Sequence, residues 1–214
     1  MSTEKKRVYN SESRVAQAQE TRKRILSSAR NLFTSQGFEK TTIDRLAELA
    51  DVSTPTIYSL FKSKEGILRE LMHAILFGPQ YKLLVDKALS LADPKETLKM
   101  AASITRAIYD AEKSEMVFIR GASAISPELR KLETEGERQR YERQEFVVLR
   151  LEKASLLPIG MDVTQARDIL WTLTSRELYR MLVTVRRWNS DDYEQWLSRT
   201  LLQTLIITPV ATGN

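Results

Sequence analysis

Thr41–Lys64 reads TTIDRLAELADVSTPTIYSLFKSK, and the rest of the chain is organised around it. Ile43, Leu46, Ala47 and Ala50 recur at a helical period. The pattern then breaks at Asp51-Val52-Ser53 and resumes in a new phase at Ile57 and Leu60. The small Ala47 lets a second helix cross the first closely. Ser53 suits an N-cap, and Pro55 falls in the first turn, where a missing N–H costs little. Two short helices joined in this way form a helix-turn-helix, whose second helix can enter a DNA major groove.

The flanks extend the pattern. Ala29–Met72 carries Leu32-Phe33, Gly37-Phe38, Thr42, Leu46-Ala47, Ala50, Val52-Ser53, Ile57-Tyr58, Phe61, Lys64-Glu65 and Leu68 at a joint spacing that resembles the DNA-binding domain of TetR-family transcriptional regulators. The resemblance covers roughly the first third of the chain. One position departs from it: Asp51 stands in the turn where the family usually has glycine. Asp tolerates positive φ better than most residues, so the turn is expected to survive at some cost.

Composition narrows the function classes. The chain has 214 residues, 42% of them hydrophobic, with seven Gly, six Pro and no Cys. That is ample for a core, whereas disulfides, a thiolate nucleophile and a Cys-based metal site are excluded. The first residues, MSTEKKRVYNSESRV, lack the apolar run of a signal peptide, and no stretch of about 18 apolar residues occurs. A cytoplasmic protein without a membrane segment is the expectation. Residues 1–70 hold 13 Lys/Arg against 9 Asp/Glu, while the other 144 hold 20 against 19. A basic small domain joined to a near-neutral larger one is what phosphate binding at one end requires.

The spacing predicts an all-α chain. Residues 1–20 read as a flexible basic arm, either a solvated tail or an arm lying on phosphates or in a minor groove. SRVAQAQE could also extend the first helix backwards. Helices are expected over about Thr21–Gln36, Thr42–Ala50, Thr54–Phe61, then from Lys64 to the Gly78-Pro79 stop. Further helices follow over 80–91, from Asp93-Pro94 to about Ala111, over Ser114–Ala124, and from Ser126-Pro127 to about Leu156. The last two run from Val163 to Trp188 and, capped by Ser190, from Asp191 to Ile207. This gives an arm (1–20), a three-helix helix-turn-helix domain (21–66), a larger helical domain (67–208) and a tail (209–214).

Helix-turn-helix geometry assigns the DNA-facing residues. Thr54, Pro55 and Thr56, with the cap Ser53, open the second helix and face base edges; hydroxyls bond either base type, and methyl or ring carbons touch a thymine methyl. Arg45 is the available longer reader. Phosphate contacts are expected from Thr42, Tyr58, Lys62 and Lys64 and from amides at helix starts. The resemblance implies the same role for Thr42, Tyr58 and Lys64.

The larger domain is less legible. A pocket between its middle helices would draw on Met100, Ile104, Ile108, Met116, Phe118, Ile119, Trp171 and Tyr179, although residues of this type at helical spacing equally form plain core. Arg106 and Arg180 interrupt apolar surroundings and hint at an anionic ligand, or at surface exposure. The last two helices present Ala166, Leu170, Leu173 and Leu182, then Trp196, Leu201 and Leu205, wider apolar faces than one stripe requires. Burial on two sides, against the domain and a partner, would explain that width; completing a monomer core is the alternative. The resemblance implies that these helices pair with their copies in a homodimer, and that a ligand in this domain shifts operator affinity.

Catalysis finds no support. The lone histidine, His73, has no evident partner, and no G-x-S-x-G, glycine-rich phosphate loop or H-E-x-x-H occurs. No catalytic residue, metal ligand or cofactor is assigned. The expectation is a ligand-responsive DNA-binding regulator, most simply a repressor that binds a palindromic operator as a homodimer and is released by a small apolar or amphipathic effector. A ligand-independent helical adaptor is the rival.

Overall fold

A computed structural model describes residues 3–115 and 127–207. Among these residues the regular elements are helices: α1 (Thr3–Gln36), α2 (Ile43–Ala50), α3 (Thr54–Phe61), α4 (Lys64–Leu76), α5 (Pro79–Ser90), α6 (Pro94–Glu115), α7 (Pro127–Lys153), α8 (Val163–Leu173), α9 (Arg176–Tyr179), a π-helical turn (Arg180–Val185) and α10 (Ser190–Leu205). The all-α fold is as expected. The described residues fall into two compact units, one of residues 3–74 with 127–130, the other of residues 75–115 with 131–207.

In the first unit, α1 contributes Ile25, Ala29, Leu32 and Phe33, α2 Leu46, Ala47 and Ala50, α3 Ile57 and Phe61, and α4 Ile67, Leu68 and Leu71, all buried. Each large side chain removed from water here contributes about 1.5–3 kcal/mol. Gly37, at φ +87°, ends α1 in the left-handed region, and its N–H donates to the Phe33 carbonyl at 3.1 Å. Phe38 then folds back edge-on against Phe33, with ring centroids 5.2 Å apart.

The N-terminus departs from expectation. Helix α1 starts at Thr3, so residues 3–20, read as a flexible arm, are its first turns. The sequence from Ser11 to Glu20 is rich in Ala, Gln, Glu and Arg, which favour helix, and contains neither Gly nor Pro to stop one.

In the second unit, α6 packs against both α5 and α10. Its core joins Leu98, Ala102 and Tyr109 of α6, Val148 and Leu151 of α7, Ala166 and Leu170 of α8, and Tyr193, Leu197, Leu201 and Leu205 of α10. Two expected boundaries move. The long helix read over Val163–Trp188 breaks after Leu173, and the cap of α10 is Asn189, whose side chain accepts from the Asp191 amide at 2.7 Å, not Ser190. Most of the helix expected over Ser114–Ala124 lies outside the described residues.

The break has a visible cause. Thr174 Oγ1 donates to the Leu170 carbonyl at 2.7 Å, and Ser175 caps α9 by accepting from the Leu178 amide. The freed carbonyls are taken up by α7 and α6: Arg140 donates to the Trp171 carbonyl at 2.7 Å, and the Tyr109 hydroxyl donates to the Thr174 carbonyl at 3.2 Å. The chain then continues through the π-helical turn, whose wider i→i+5 spacing appears in the Arg186 amide donating to the Met181 carbonyl.

Candidate nucleic-acid interface

Both helices of the Thr41–Lys64 motif are capped by their own sequence. Thr42 accepts from the Arg45 amide at 3.2 Å, and Ser53 from the Thr56 amide at 3.3 Å. Between them Asp51 sits at φ 52°, ψ 56°, the left-handed conformation the turn demands, and the following Val52 amide donates to the Ala47 carbonyl at 3.0 Å. Asp51 therefore takes the place of a glycine. Thr54 Oγ1 donates to Asp44 at 3.0 Å, which pins the start of α3 to α2. Burial of Ile57 and Phe61 turns the opposite side of α3 outward, with Pro55, Tyr58 and Ser59 exposed and Thr54 and Thr56 partly so.

The remaining expected DNA residues divide. Tyr58 is 48% exposed and Lys62 is exposed at a strained φ of 68°, its ammonium donating to the Ser59 carbonyl. Arg45 is exposed and paired with Glu48 one turn on. Lys64 is different. Its ammonium donates to the carbonyls of Phe38 at 2.8 Å, Thr41 at 3.0 Å and Glu39 at 3.4 Å and lies 4.3 Å from the Phe38 ring centroid. Three acceptors match its three protons, so the phosphate contact expected of it gives way to a clamp on the α1–α2 connection.

One arrangement beside α3 was not legible in the sequence. Helix α1 runs past α3 and leaves a groove of about 480 Å³, with Arg14, Gln17 and Thr21 on one wall and Thr56 and Ser59 on the other. The helix-forming composition of SRVAQAQE was the available signal; which face it turns toward α3 was not in it.

Residues 25–71 match the family described as bacterial regulatory proteins, tetR family. The chain carries the DNA-binding domain of the tetR family of bacterial regulatory proteins. It is 28% identical over 171 residues to the HTH-type transcriptional regulator YdeS of Bacillus subtilis, covering 77% of this chain and 79% of that one. Two solved structures share the fold. One is NalD of Pseudomonas aeruginosa, secondary repressor of the MexAB-OprM multidrug efflux pump, at TM-score 0.67 and 21% identity, covering 89% of this chain and 98% of that one. The other is FadR of Bacillus subtilis in complex with stearoyl-CoA, at TM-score 0.64 and 17% identity, covering 85% and 98%.

The second unit places its residues as follows. Met100 and Tyr179 are buried; Ile104, Ile108 and Trp171 are partly buried. Met116, Phe118 and Ile119 lie outside the described residues. Tyr179 sits between Tyr109 and Tyr193, with centroids 5.4 and 5.1 Å away, and its hydroxyl donates to Asp110. Burial raises the phenols of all three tyrosines above their ordinary range. The Tyr193 hydroxyl and the Trp171 indole N–H are buried without a hydrogen-bond partner among the described residues.

Arg106 does not await an anion. It meets Asp191 at 2.5 Å, Glu194 at 2.9 Å and Asp110 at 3.2 Å, and the Glu194 hydrogen bond foremost raises its pKa. Three carboxylates already neutralise it. Arg180 is exposed.

The residues expected at a dimer interface also divide. Ala166, Leu170, Leu201 and Leu205 have no exposed surface and belong to the unit's own core, so they have nothing to offer a partner. Leu173, Leu182 and Trp196 are partly buried against that core. Between α9 and α10 the large apolar side chains turned outward are Met181 (46% exposed), Val185 (57%) and Trp188 (36%), in or just after the π-helical turn; elsewhere in the unit Leu83, Leu89, Phe146, Leu149 and Ile159 are exposed as well. Trp188 stacks edge-on against Trp196, with centroids 5.9 Å apart. Among the described residues no acidic, His or Cys cluster could hold a metal, and no helix is long and apolar enough to cross a membrane.

Proposed function

We propose that this protein is a homodimeric repressor that binds a palindromic operator and is released by a small apolar or amphipathic molecule held in its second unit. The observation that carries the DNA reading is the start of α3: a capped helix with Thr54, Pro55 and Thr56 at its opening, Tyr58 exposed one turn on, and its apolar side committed to the core. Thr42, Arg45, Ser53 and Lys62 frame that surface. Thr54 and Thr56 supply hydroxyls and methyls to base edges, while Thr42, Tyr58 and Lys62 serve the phosphates. By this reading residues 21–66 form the DNA-binding domain and residues 67–208 bind the effector and the second copy.

Dimerisation follows from the size of the reader. One eight-residue helix without a bidentate side chain selects a genomic site poorly; two, about 34–36 Å apart on a palindrome, double the contacts. The exposed apolar strip of Met181, Val185 and Trp188 supports a second copy on this edge. Met100, Ile104, Ile108, Trp171 and Tyr179 are the proposed effector contacts, and the bound stearoyl-CoA of the FadR relative supports an amphipathic ligand. The effector works only by binding the two states of the dimer unequally.

Selection of bound fragments from random DNA, followed by a screen of small molecules for release, tests this. The expected result is a palindromic consensus bound by a species of twice the chain mass. A correctly folded protein with no preference among sequences at moderate ionic strength overturns it.

A further inference from the structure

We propose that the groove between α1 and α3 receives one sugar–phosphate strand of the duplex, so that the N-terminal half of α1 lies across that strand from the helix in the major groove. The inference rests on the DNA-binding reading of α3 and adds a second wall to it. Four residues on the groove's walls can donate hydrogen bonds to such a strand: Arg14, Gln17 and Thr21 from α1 and Ser59 from α3. No carboxylate lines it among the described residues. A lining of donors with one cation and no acid suits an anion, and the phosphates of a nucleic-acid backbone take contacts from these residue types. Pro55 and Leu60 give the same groove an apolar stretch for deoxyribose carbons.

Position decides which anion. A ligand between α1 and α3 touches Thr56, in the first turn of the reading helix, and cannot stand far from the bases that helix meets. The strand bordering a major groove is the anionic element that lies directly beside a helix seated there. Arg14 is exposed, as expected for a side chain awaiting a partner in solvent. The part of α1 that precedes the family match at residue 25 is therefore a clamp on the backbone.

Salt-dependent binding of the full chain tests the clamp, using the selected operator and an unrelated duplex of equal length. Arg14→Ala keeps helix propensity. It is expected to weaken binding to both duplexes by a similar factor and to make the slope of log K against log salt shallower by about one. Ser59→Trp fills the groove without touching a charge; it is expected to weaken binding at least about tenfold with the thermal melt unchanged. An unchanged slope for Arg14→Ala, a loss confined to the operator, or unimpaired binding by Ser59→Trp overturns the proposal. If the parent protein prefers its operator while Arg14→Ala retains the full slope, the clamp alone fails. If the parent itself shows no preference, the regulator reading fails and takes the clamp with it.

Discussion

A Cβ on Gly66 would stand 1.9 Å from the Phe61 carbonyl oxygen. The end of α3 and the first turn of α4 thus meet backbone to backbone, and only a residue without a side chain permits it. Ser63 completes the corner by accepting from the Gly66 amide at 3.1 Å. Because α3 is the proposed reader, this corner sets where that helix points.

Gly66→Ala cannot be absorbed by a rotamer change, since the obstacle is main chain. It is expected to destabilise the first unit by about 2–4 kcal/mol, the range of severe single-site strain. Chemical denaturation monitored by circular dichroism measures this. A loss under about 0.5 kcal/mol, the scale of an ordinary surface change, would show that the corner is looser than described.

Lys64→Ala removes the clamp on the Phe38 and Thr41 carbonyls and is expected to cost about 1–3 kcal/mol of stability, the scale of charged hydrogen bonds. Its effect on DNA should be indirect. Below the melting transition, the salt dependence of binding is expected to match the parent. A slope shallower by about one would return Lys64 to the phosphate contacts.

Thr56→Ala removes a hydroxyl and a methyl from the start of α3 while leaving the helix favoured. The expected outcome is a relaxed preference at one position in each half-site, of about 1 kcal/mol, read by repeating the fragment selection. A uniform loss across all sequences would assign Thr56 to the backbone instead.

Tyr193→Phe probes the tyrosine cluster of the second unit. The native hydroxyl is buried without a partner among the described residues, so the change is expected to be neutral or to stabilise by up to about 1 kcal/mol at neutral pH. Burial holds the folded phenol above the unfolded value of about 10. The folded state therefore keeps a proton that the unfolded state releases. This contribution is complete below the unfolded value and is lost as pH rises through the folded one. The Tyr193→Phe variant, with no phenol to titrate, should show a flatter alkaline decline in denaturation curves taken from about one pH unit below that unfolded value upward.

Val185→Glu places a charge in the exposed apolar strip. Light scattering at micromolar concentration is expected to show the single-chain mass for this variant and twice that mass for the parent. A dimeric variant would move the proposed interface elsewhere.

Local chemistry made much of the fold legible in advance. The caps Thr42 and Ser53, the left-handed Asp51, the stop at Gly37 and the apolar periods of α2 and α3 each act within a few residues, so their consequences can be read in order along the chain. Tertiary structure decided what depends on distant partners. Nothing near Thr174 announces that Arg140 and Tyr109, both far away in sequence, will take up its carbonyl and open the long helix there. Lys64 reads as a surface cation until three carbonyls from the α1–α2 connection surround it. Arg106 reads as an anion receptor until α10 brings Asp191 and Glu194. Periodicity tells which residues leave water but not what meets them, because a hydrogen bond's partner is set by the packed chain and not by the sequence beside it.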